Sequence, residues 1–233
     1  MKGDRIGQDF YNNTDYFDHK TKHLKDLSSS FQKYRISKIL EIYNPGKSER
    51  ILDLGCGWGT FCWALSHRVQ SIVGLDFSQK SIEICKQKFA GSGLKNISFL
   101  CANACNTNLE PESFDLIIAA DLMEHLYYKD SKLVISEAFR LLKRGGHLSI
   151  WTPHRGHILE ILRAHNIILK RDLSHVDYKS MESIKNTLIY EGFLIKKAYY
   201  VESHLPIIKY LEKITLAWIP LFRRRIAVLA QKP

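Results

Sequence analysis

The amino-acid sequence predicts an α/β protein with a doubly wound, mostly parallel sheet of seven strands and helices on both faces. Two observations carry this prediction. Apolar runs of strand length alternate with longer stretches of helical period, and the first run ends in a turn with three alternating glycines. In such sheets, ligands bind beyond the carboxyl ends of the strands, at the point where the strand order reverses. We therefore expect a binding site at those strand ends.

The predicted elements follow one another in chain order. Strands are predicted at 51–54, 71–75, 97–101, 114–119, 147–151, 193–201 and 225–230, and helices at 61–67, 78–89 and 130–142. The double glycine at 145–146 permits the sharp reversal into the fifth strand, and the stretch YEGF at 190–193 is typical of a helix end.

One domain is expected over residues 1–233. It is divided into a helical cap at 1–44, the sheet core at 45–203, an inserted amphipathic helix at 204–222 and the last strand at 223–233. The cap is predicted from a mainly helical segment that contains Tyr11, Tyr16, Phe17 and Tyr34. We expect this segment to cover the ligand-binding edge of the sheet.

Composition and charge narrow the classes of function. With 233 residues, 45% hydrophobic and 25% charged, the chain can bury the core of one globular domain. Its five cysteines are scattered, without a CxxC pair or zinc spacing, and favour a reduced cytoplasmic compartment. The sequence has neither an apolar leader nor a run of eighteen uncharged apolar residues, so secretion and membrane spanning are not expected. The net charge of +10 favours an anionic partner without choosing among nucleic acid, membrane surface and phosphorylated substrate.

The turn ILDLGCGWGT at residues 51–60 predicts a cofactor site. Gly55 and Gly57 let the backbone pass close to a ligand, and the helix that follows offers unpaired N–H groups. A dinucleotide fold would show GxGxxG spacing, and the carboxylate of Asp53 would repel a pyrophosphate. This acid suits a ligand with an ammonium or sulfonium group instead.

With this turn, the sequence resembles the class I S-adenosylmethionine-dependent methyltransferases over roughly residues 11–197. The acid-x-Gly-x-Gly-x-Gly signature of that family is matched from Asp53 to Gly59. The resemblance implies a Rossmann-like fold and S-adenosylmethionine as the cofactor. It also implies that Asp76, with Phe77 beside it, holds both ribose hydroxyls, because a carboxylate offers two acceptors. A helix N-cap is the alternative role of Asp76.

Three further cofactor contacts follow from the resemblance. Where the family usually has Asp-Ala after the third strand, this chain has Asn103 and Ala104, whose amide oxygen and backbone N–H would contact the adenine. The loop AADLMEH resembles the Glu-His loop of a subgroup that includes the ubiquinone-pathway O-methyltransferases, and Ala120 would face the methionine part of the cofactor. Arg35 matches an arginine that contacts the methionine carboxylate in that subgroup, and its alternative is a solvated helix residue.

Methyl transfer to a hydroxyl requires a positioned acceptor and a base. His125 and His175 are the predicted catalytic residues and His154 is a third candidate, although each could instead cap or pack. Asp121, Glu124 and His125 could also bind a divalent cation, magnesium before zinc. We prefer a role for the two acids in capping and solvating a short helix, so no metal is predicted.

The segment 204–225 has no counterpart in the methyltransferase core. Pro206 suits a first helical turn and Pro220 a stop. An apolar face is predicted from Ile207, Ile208, Leu211, Ile214 and Trp218, with Lys209, Glu212 and Lys213 away from it. With the arginines at 223–225, the helix could lie on a membrane surface. We expect its apolar face to pack on the sheet or to line the acceptor pocket, and either arrangement favours a hydrophobic acceptor.

These predictions combine into a cytoplasmic methyltransferase that uses S-adenosylmethionine and methylates a small, apolar or lipid-linked acceptor at oxygen. Peripheral membrane contact through residues 204–225 is an option. An RNA methyltransferase is the alternative that the charge favours, but the sequence lacks an Asn-Pro-Pro-aromatic motif, a Pro-Cys nucleophile and an appended binding domain, so nucleic acid is not the expected partner. Asp53 and the glycine spacing disfavour a dehydrogenase, and a cofactor-binding module without catalysis stays open.

Overall fold

The computed structural model describes residues 6–13, 16, 21–167, 170, 172–204, 206–216 and 218–233. Its strands are β1 (Arg50–Leu54), β2 (Ser71–Asp76), β3 (Ile97–Cys101), β4 (Phe114–Ala120), β5 (Leu142–Pro153), β6 (Leu194–Val201) and β7 (Arg225–Gln231). Its helices are α1 (Gln8–Asn13), α2 (Ser30–Ile42), α3 (Thr60–Ser66), α4 (Gln79–Phe89), α5 (Tyr128–Leu141), α6 (Ile158–Ala164), α7 (Met181–Tyr190) and α8 (Pro206–Thr215). Phe17, which was assigned to the predicted cap, lies outside the described residues.

The seven strands form one sheet in the order β3-β2-β1-β4-β5-β7-β6. The first five strands run parallel, and β7 is antiparallel to both β5 and β6. This arrangement confirms the predicted fold class. The strand order reverses between β1 and β4, so the carboxyl ends of these two strands flank the crevice in which ligands of such sheets bind.

Two apolar layers cover the sheet. On one face, Ile39 and Ile42 of α2 pack with residues of α3 and α4 against the strands. On the other face, Val134 of α5 and Leu188 of α7 pack against the strands. Helix α2 therefore belongs to a core layer, whereas the predicted cap over the strand ends is provided by α1, where the side chain of Gln8 donates to the carbonyl of Phe77 at 2.7 Å.

Serine caps fix where several helices begin. Ser29 accepts a hydrogen bond from the N–H of Gln32 at the start of α2, and Ser78 accepts one from Ser81 at the start of α4. Ser180 caps α7 in the same way. The N-cap of the helix after β2 is thus Ser78, and the capping role considered for the side chain of Asp76 belongs to its neighbour.

The glycine turn after β1 depends on left-handed backbone. Gly59 has φ +72°, and a Cβ at this position would lie 2.7 Å from Cε2 of Phe89. The third glycine of the motif is therefore fixed by the packing of α4 behind the turn.

The main difference from the predicted elements concerns residues 204–222. Helix α8 ends at Thr215, and Pro220 begins a short 3-10 turn instead of stopping the helix. The helix α6 was not predicted, and β5 extends beyond the expected 147–151 because it pairs with Phe114 at one end and with Arg225 at the other.

The expectation that the apolar face of α8 is buried was wrong. Leu211, Ile214 and Trp218 are 57%, 73% and 85% exposed. The side chain of Ile207, assigned to the same face, lies outside the described part of the chain. Glu212 is 1% exposed and accepts from the N–H of Ser203 and from His157. Helix α8 is therefore attached to the core through a polar residue, because its buried carboxylate is satisfied there by hydrogen bonds.

Candidate functional site

A cavity of about 940 Å³ opens beyond the carboxyl ends of the strands. Its lining includes the following predicted cofactor residues: Arg35, Gly55, Gly57, Asp76, Phe77, Asn103, Ala104 and Ala120. The same cavity is lined by both predicted catalytic residues, His125 and His175. The residues that the sequence assigned to cofactor and to chemistry therefore meet in one space.

Asp76 braces the glycine turn. Its Oδ2 accepts from the N–H of Gly57 at 2.9 Å, and its Oδ1 accepts from the N–H of Ser78 at 2.9 Å. Burial raises the pKa of this carboxyl, while the two backbone N–H groups act in the opposite direction. Each carboxylate oxygen keeps lone-pair capacity for another donor, so ribose hydroxyls could still be bound.

Asp53 lies behind the turn. It is 1% exposed, its Oδ2 faces the thiol of Cys62 at 3.6 Å, and it is not among the described residues that line the cavity. Burial raises the pKa of Asp53 to about 7. The structure thus places this acid where it could act on a bound cation through its charge and not through direct contact.

The predicted adenine contact is built from a short loop after β3. The Oδ1 of Asn103 accepts from the N–H of Cys105 at 2.9 Å, which fixes the amide in the loop, and Ala104 is 9% exposed at the cavity wall. Phe77 lies beside this loop at the end of β2 and is 36% exposed. An aromatic ring at this position offers an apolar surface to a flat ligand.

Arg35 is not a solvated helix residue, since it is only 7% exposed. Its Nε donates to Oδ2 of Asp121 at 2.9 Å, and its Nη1 donates to Gln32 at 2.8 Å. The other oxygen of Asp121 accepts from Arg225. Although burial acts to raise the pKa of Asp121, the two arginines outweigh it and hold that pKa below its usual value. The buried guanidinium pair shares one carboxylate.

Glu124 and Asp121 do not solvate a short helix as expected. Glu124 is 1% exposed and accepts from the hydroxyl of Thr152 at 2.9 Å. Burial, with a contribution from the charge of Asp121, raises the pKa of Glu124 to about 8. The backbone carbonyl of Glu124 also accepts from Val176 and Asp177, which attaches the segment with His175 to the Glu-His loop.

His125 and His175 lie edge to face, with ring centroids 4.8 Å apart. The Nδ1 of His125 is 2.9 Å from the carbonyl oxygen of Ser174, which can only accept, so this nitrogen carries the proton. The Nδ1 of His175 is 2.8 Å from the hydroxyl of Tyr178, which in turn hydrogen-bonds Glu160.

This chain of hydrogen bonds sets the tautomer of His175. Because the ionised Glu160 accepts the hydroxyl proton of Tyr178, Nδ1 of His175 must donate to that hydroxyl. In each of the two histidines, Nε2 is then left with its lone pair. Burial lowers the pKa of both rings, and repulsion from His125 helps to bring the pKa of His175 to about 4. Both rings are therefore neutral near pH 7.

His154 is not part of this site. It is 8% exposed, packs edge to face on Tyr200 with centroids 5.1 Å apart, and is not among the described residues that line the cavity. A packing role, which was one of its two predicted alternatives, fits this environment.

The residues at the loop do not fit an oxygen-rich magnesium site. Both oxygens of Asp121 are bound by arginines. Within the part of the chain that the structure describes, one group could hold a metal ion: Glu124, His125 and His175 bring one carboxylate oxygen and two ring nitrogens within 4.8 Å of one another. One oxygen and two nitrogens are not the ligands that magnesium prefers.

Several cavity residues carry no local sequence signal. They are Glu160 and Arg163 from α6, and Arg224 and Arg225 at the start of β7. Tyr34, which was assigned to the predicted cap, also lines the cavity. The arginines at 223–225 were considered as part of a membrane-facing alternative. Arg224 and Arg225 do not fit that alternative, because their side chains are 16% and 11% exposed and line the cavity.

Comparison with known proteins finds a family match for the part of the chain that contains the glycine turn. The methyltransferase domain family matches residues 51–146. A demethylmenaquinone methyltransferase of Lactococcus lactis is 39% identical over 108 residues, which cover 45% of this chain and 42% of that protein. A ubiquinone biosynthesis O-methyltransferase of Vibrio cholerae is 26% identical over 121 residues, which cover 52% and 49% of the two chains.

A solved structure of phosphoethanolamine N-methyltransferase 2 from Haemonchus contortus superposes with a TM-score of 0.75 at 19% identity, over 100% of this chain and 61% of that one. This likeness confirms the fold. The chain spans about half the length of the curated relatives it matches, 42% and 49%. The family match runs from β1 into β5 and leaves out α6 and β7, which supply the residues without a local signal.

Proposed function

We propose that the protein transfers the methyl group of S-adenosylmethionine to a small, apolar or lipid-linked acceptor, at oxygen. The match of residues 51–146 to the methyltransferase domain family and the fold shared with a solved methyltransferase support the transfer of a methyl group. One observation carries the proposal. A single cavity contains the glycine turn and Asp76 at one end and two neutral histidines at the other. Such a cavity can hold a cofactor and an acceptor side by side, as a direct transfer requires.

In this proposal the cofactor end binds through the predicted residues. Gly55 and Gly57 give the backbone of the turn close access, and Asp76 accepts from the ribose hydroxyls. Asn103, Ala104 and Phe77 surround the adenine, and Ala120 faces the methionine part. Arg35 pairs with the methionine carboxylate, because it shares Asp121 with a second arginine and so retains positive charge.

The histidines act on the acceptor. When bound, S-adenosylmethionine supplies a methyl group on a sulfonium, which needs no further activation. The Nε2 of His175 or of His125 takes the proton of the acceptor hydroxyl while the oxygen–methyl bond forms and the bond from methyl to sulfur breaks. Tyr178 and Ser174 hold the two rings through Nδ1, so that each Nε2 can accept a proton. The Oδ2 of Asp172 lies 3.8 Å from Nε2 of His175, where its charge would stabilise the protonated ring. A neutral histidine beside the acceptor can remove a hydroxyl proton, as transfer to oxygen requires.

The exposed face of α8 supports a lipid-linked acceptor. Leu211, Ile214 and Trp218 present apolar surface to the solvent, and Lys213 is exposed beside them. Exposed apolar side chains flanked by lysine are typical of helices that lie in a membrane interface. In the described part of the chain, each helix is too short or too polar to cross a membrane. We propose that α8 instead makes peripheral contact and brings the cavity to acceptors within the membrane.

Transfer of labelled methyl from S-adenosylmethionine into fractionated cell extract tests the proposed function. Lipids, polar small molecules, RNA and protein are counted separately, with the variant His175→Ala as the matched control. We expect label in the lipid fraction, and much less with the variant. Label in RNA would contradict the acceptor class and favour the nucleic-acid alternative. The absence of label from every fraction, with cofactor binding intact, would favour a binding module without catalysis.

A further inference from the structure

Two consecutive arginines, Arg224 and Arg225, line the acceptor end of the cavity, with side chains 16% and 11% exposed. Arg224 precedes β7 and Arg225 is its first residue, which lets both side chains reach the same space. Burying two guanidinium groups next to each other is costly unless each is compensated by an anion. Arg224 and Arg225 differ in how far neighbouring anions compensate their positive charge.

Arg225 is well compensated. It pairs with Asp121, which it shares with Arg35, and its guanidinium carbon lies 3.8 Å from the ring centroid of Trp151. Asp121 carries one negative charge against the two positive charges of Arg35 and Arg225. In the proposed function, the methionine carboxylate compensates the remaining positive charge. Nothing further is needed to satisfy Arg225.

Arg224 is compensated only in part. Its Nη1 lies 2.6 Å from Oε1 of Glu160 and 3.1 Å from Nδ1 of His157, while its Nε and Nη2 make no hydrogen bond to any described residue. Glu160 is shared with Arg163, whose Nη1 is 3.5 Å from both carboxylate oxygens. Burial and repulsion from Arg225 lower the pKa of the Arg224 guanidinium. A second anion beside Arg224 would compensate its buried charge and offset the repulsion from Arg225.

Among the described residues, the other acids near Arg224 do not supply that anion. Glu212 lies on the far side of His157, where it is bound by Ser203, and it is not among the described residues that line the cavity. Asp172 lines the cavity, but its Oδ2 lies 3.8 Å from Nε2 of His175, and no hydrogen bond joins it to Arg224 among the described contacts. The space beside Arg224 is therefore open to the anion of a ligand.

We infer that Arg224, with Arg163 and Arg225 around it, binds an oxyanion of the acceptor, a carboxylate or a phosphate. The planar fork of a guanidinium matches the paired oxygens of both groups. The inference rests on the proposed function and names its substrate class, a hydrophobic molecule with a hydroxyl to be methylated and an anionic group.

The positions of the two ends of this acceptor follow from one hydrogen-bonded chain. His175 bonds Tyr178, Tyr178 bonds Glu160, and Glu160 bonds Arg224. His175 and Arg224 both line the cavity and are joined by this chain, so one acceptor can present a hydroxyl to His175 and an oxyanion to Arg224.

Binding of three small probes tests the subsite. Benzoate, phenyl phosphate and the neutral benzamide are titrated by calorimetry into the protein, with and without S-adenosylhomocysteine. We expect at least one of the two anions to bind about tenfold or more tightly than benzamide, as a charge-assisted bond requires. Arg224→Gln should remove this preference. The matched control Arg223→Gln should retain it, because Arg223 packs on Tyr200 and is not among the described residues that line the cavity.

The choice between benzoate and phenyl phosphate decides between a carboxylate and a phosphate. Equal binding of all three probes would overturn the inference, as would an unchanged preference in Arg224→Gln. If Arg224→Gln does not fold, Arg163→Gln replaces it, and a preference no weaker than in Arg223→Gln would then overturn the inference. The proposed function fails separately, because it requires the wild-type protein to bind S-adenosylhomocysteine, whereas the anion preference can be measured without it.

Discussion

The two ends of the cavity are built in different ways. At the cofactor end, Gly57 and Asp76 belong to consecutive βα turns and hold each other through a backbone N–H and a carboxylate. At the acceptor end, Glu160, His175 and Arg224 come from α6, from a loop and from the start of β7, and they hold one another through side chains alone. The first end is fixed by backbone geometry and the second by charge and tautomer.

This difference shows which end of the cavity is set by the fold and which end depends on individual side chains. Turns at the ends of parallel strands form in any chain with this sheet, so their ligand chemistry is set with the fold. Side chains from distant elements can change without affecting the sheet, and the choice of acceptor therefore depends on them. Four changes, taken from the largest expected effect to the smallest, separate the two ends by experiment.

The largest effect is expected at the acceptor end. His175→Ala and His125→Ala should each lower the rate of methyl transfer by about 10²–10⁴-fold if that ring is the base, without changing the affinity for S-adenosylhomocysteine. Single-turnover transfer into the fraction that takes label, together with calorimetry, measures both quantities. The exposed His67 provides the matched control His67→Ala. Full turnover by both cavity variants would remove both candidate bases.

At saturating S-adenosylmethionine, the contribution of His175 to the wild-type rate should also depend little on pH near neutrality. The pKa of His175 is lowered to about 4, mainly by burial, so the ring stays neutral and able to accept a proton as the pH falls from 7 towards 5. Transfer by this base is lost only as the pH approaches 4. A rate that falls by half near pH 6.5, the value of an ordinary histidine, would contradict the buried environment described for His175.

The next effect is at the cofactor end. Asp76→Ala should lower the affinity for S-adenosylmethionine about 100-fold, because two hydrogen bonds to a charged group and the brace on Gly57 are lost together. Calorimetric titration measures the change, and Asp26→Ala, at an exposed acid outside the cavity, serves as the control. Unchanged affinity in Asp76→Ala would show that the ribose assignment is wrong.

A smaller effect concerns delivery of the acceptor. Replacing Leu211, Ile214 and Trp218 by serine should weaken sedimentation with anionic lipid vesicles by about tenfold, because the apolar surface of α8 and of the turn after it is removed. Cofactor affinity should not change. Ile189→Ser with Tyr190→Ser removes equally exposed side chains from α7 and should leave vesicle binding intact. Equal loss in both sets would mean that vesicle binding is not specific to α8.

The smallest effect tests the charge behind the glycine turn. The pKa of Asp53 is raised to about 7 by burial, so the group becomes an anion as the pH rises through 7. The affinity for the sulfonium of S-adenosylmethionine should then rise roughly 3–10-fold between about pH 6 and pH 8. S-adenosylhomocysteine, which is uncharged at sulfur, should show a flat profile. Asp53→Asn should abolish the difference, and a difference that persists would assign it to another group.

The contrast between the two ends also explains what could be predicted from the sequence. The alternation of strands and helices and the turn from Asp53 to Gly59 are local patterns, and the predicted fold and strand ends were confirmed. His125 and His175 were named individually, but their contact depends on hydrogen bonds from residues 176–177 to the carbonyl of Glu124, which no pattern encodes.

Charged residues were the least predictable. Asp121 and Glu124 were expected to be solvated, yet arginines from α2 and β7 pair with the first and a threonine of β5 bonds the second. Amphipathic periodicity indicated the two faces of α8 correctly but not which face is turned inward. That orientation depends on the hydrogen bonds that Glu212 accepts from Ser203 and from His157, which lies 55 residues away in the chain.

The position of β7 imposes an order of assembly. β6 joins the sheet through β7, and β7 reaches β5 only after the intervening chain has closed a long loop. Pairing between segments so far apart is slow, because the loss of chain entropy precedes the gain in contacts. The strands β1 to β4 follow one another more closely, so we expect the glycine turn and Asp76 to become ordered first. Under the proposed function, a refolding chain would then acquire affinity for S-adenosylmethionine before it acquires the arginines that we propose bind the acceptor.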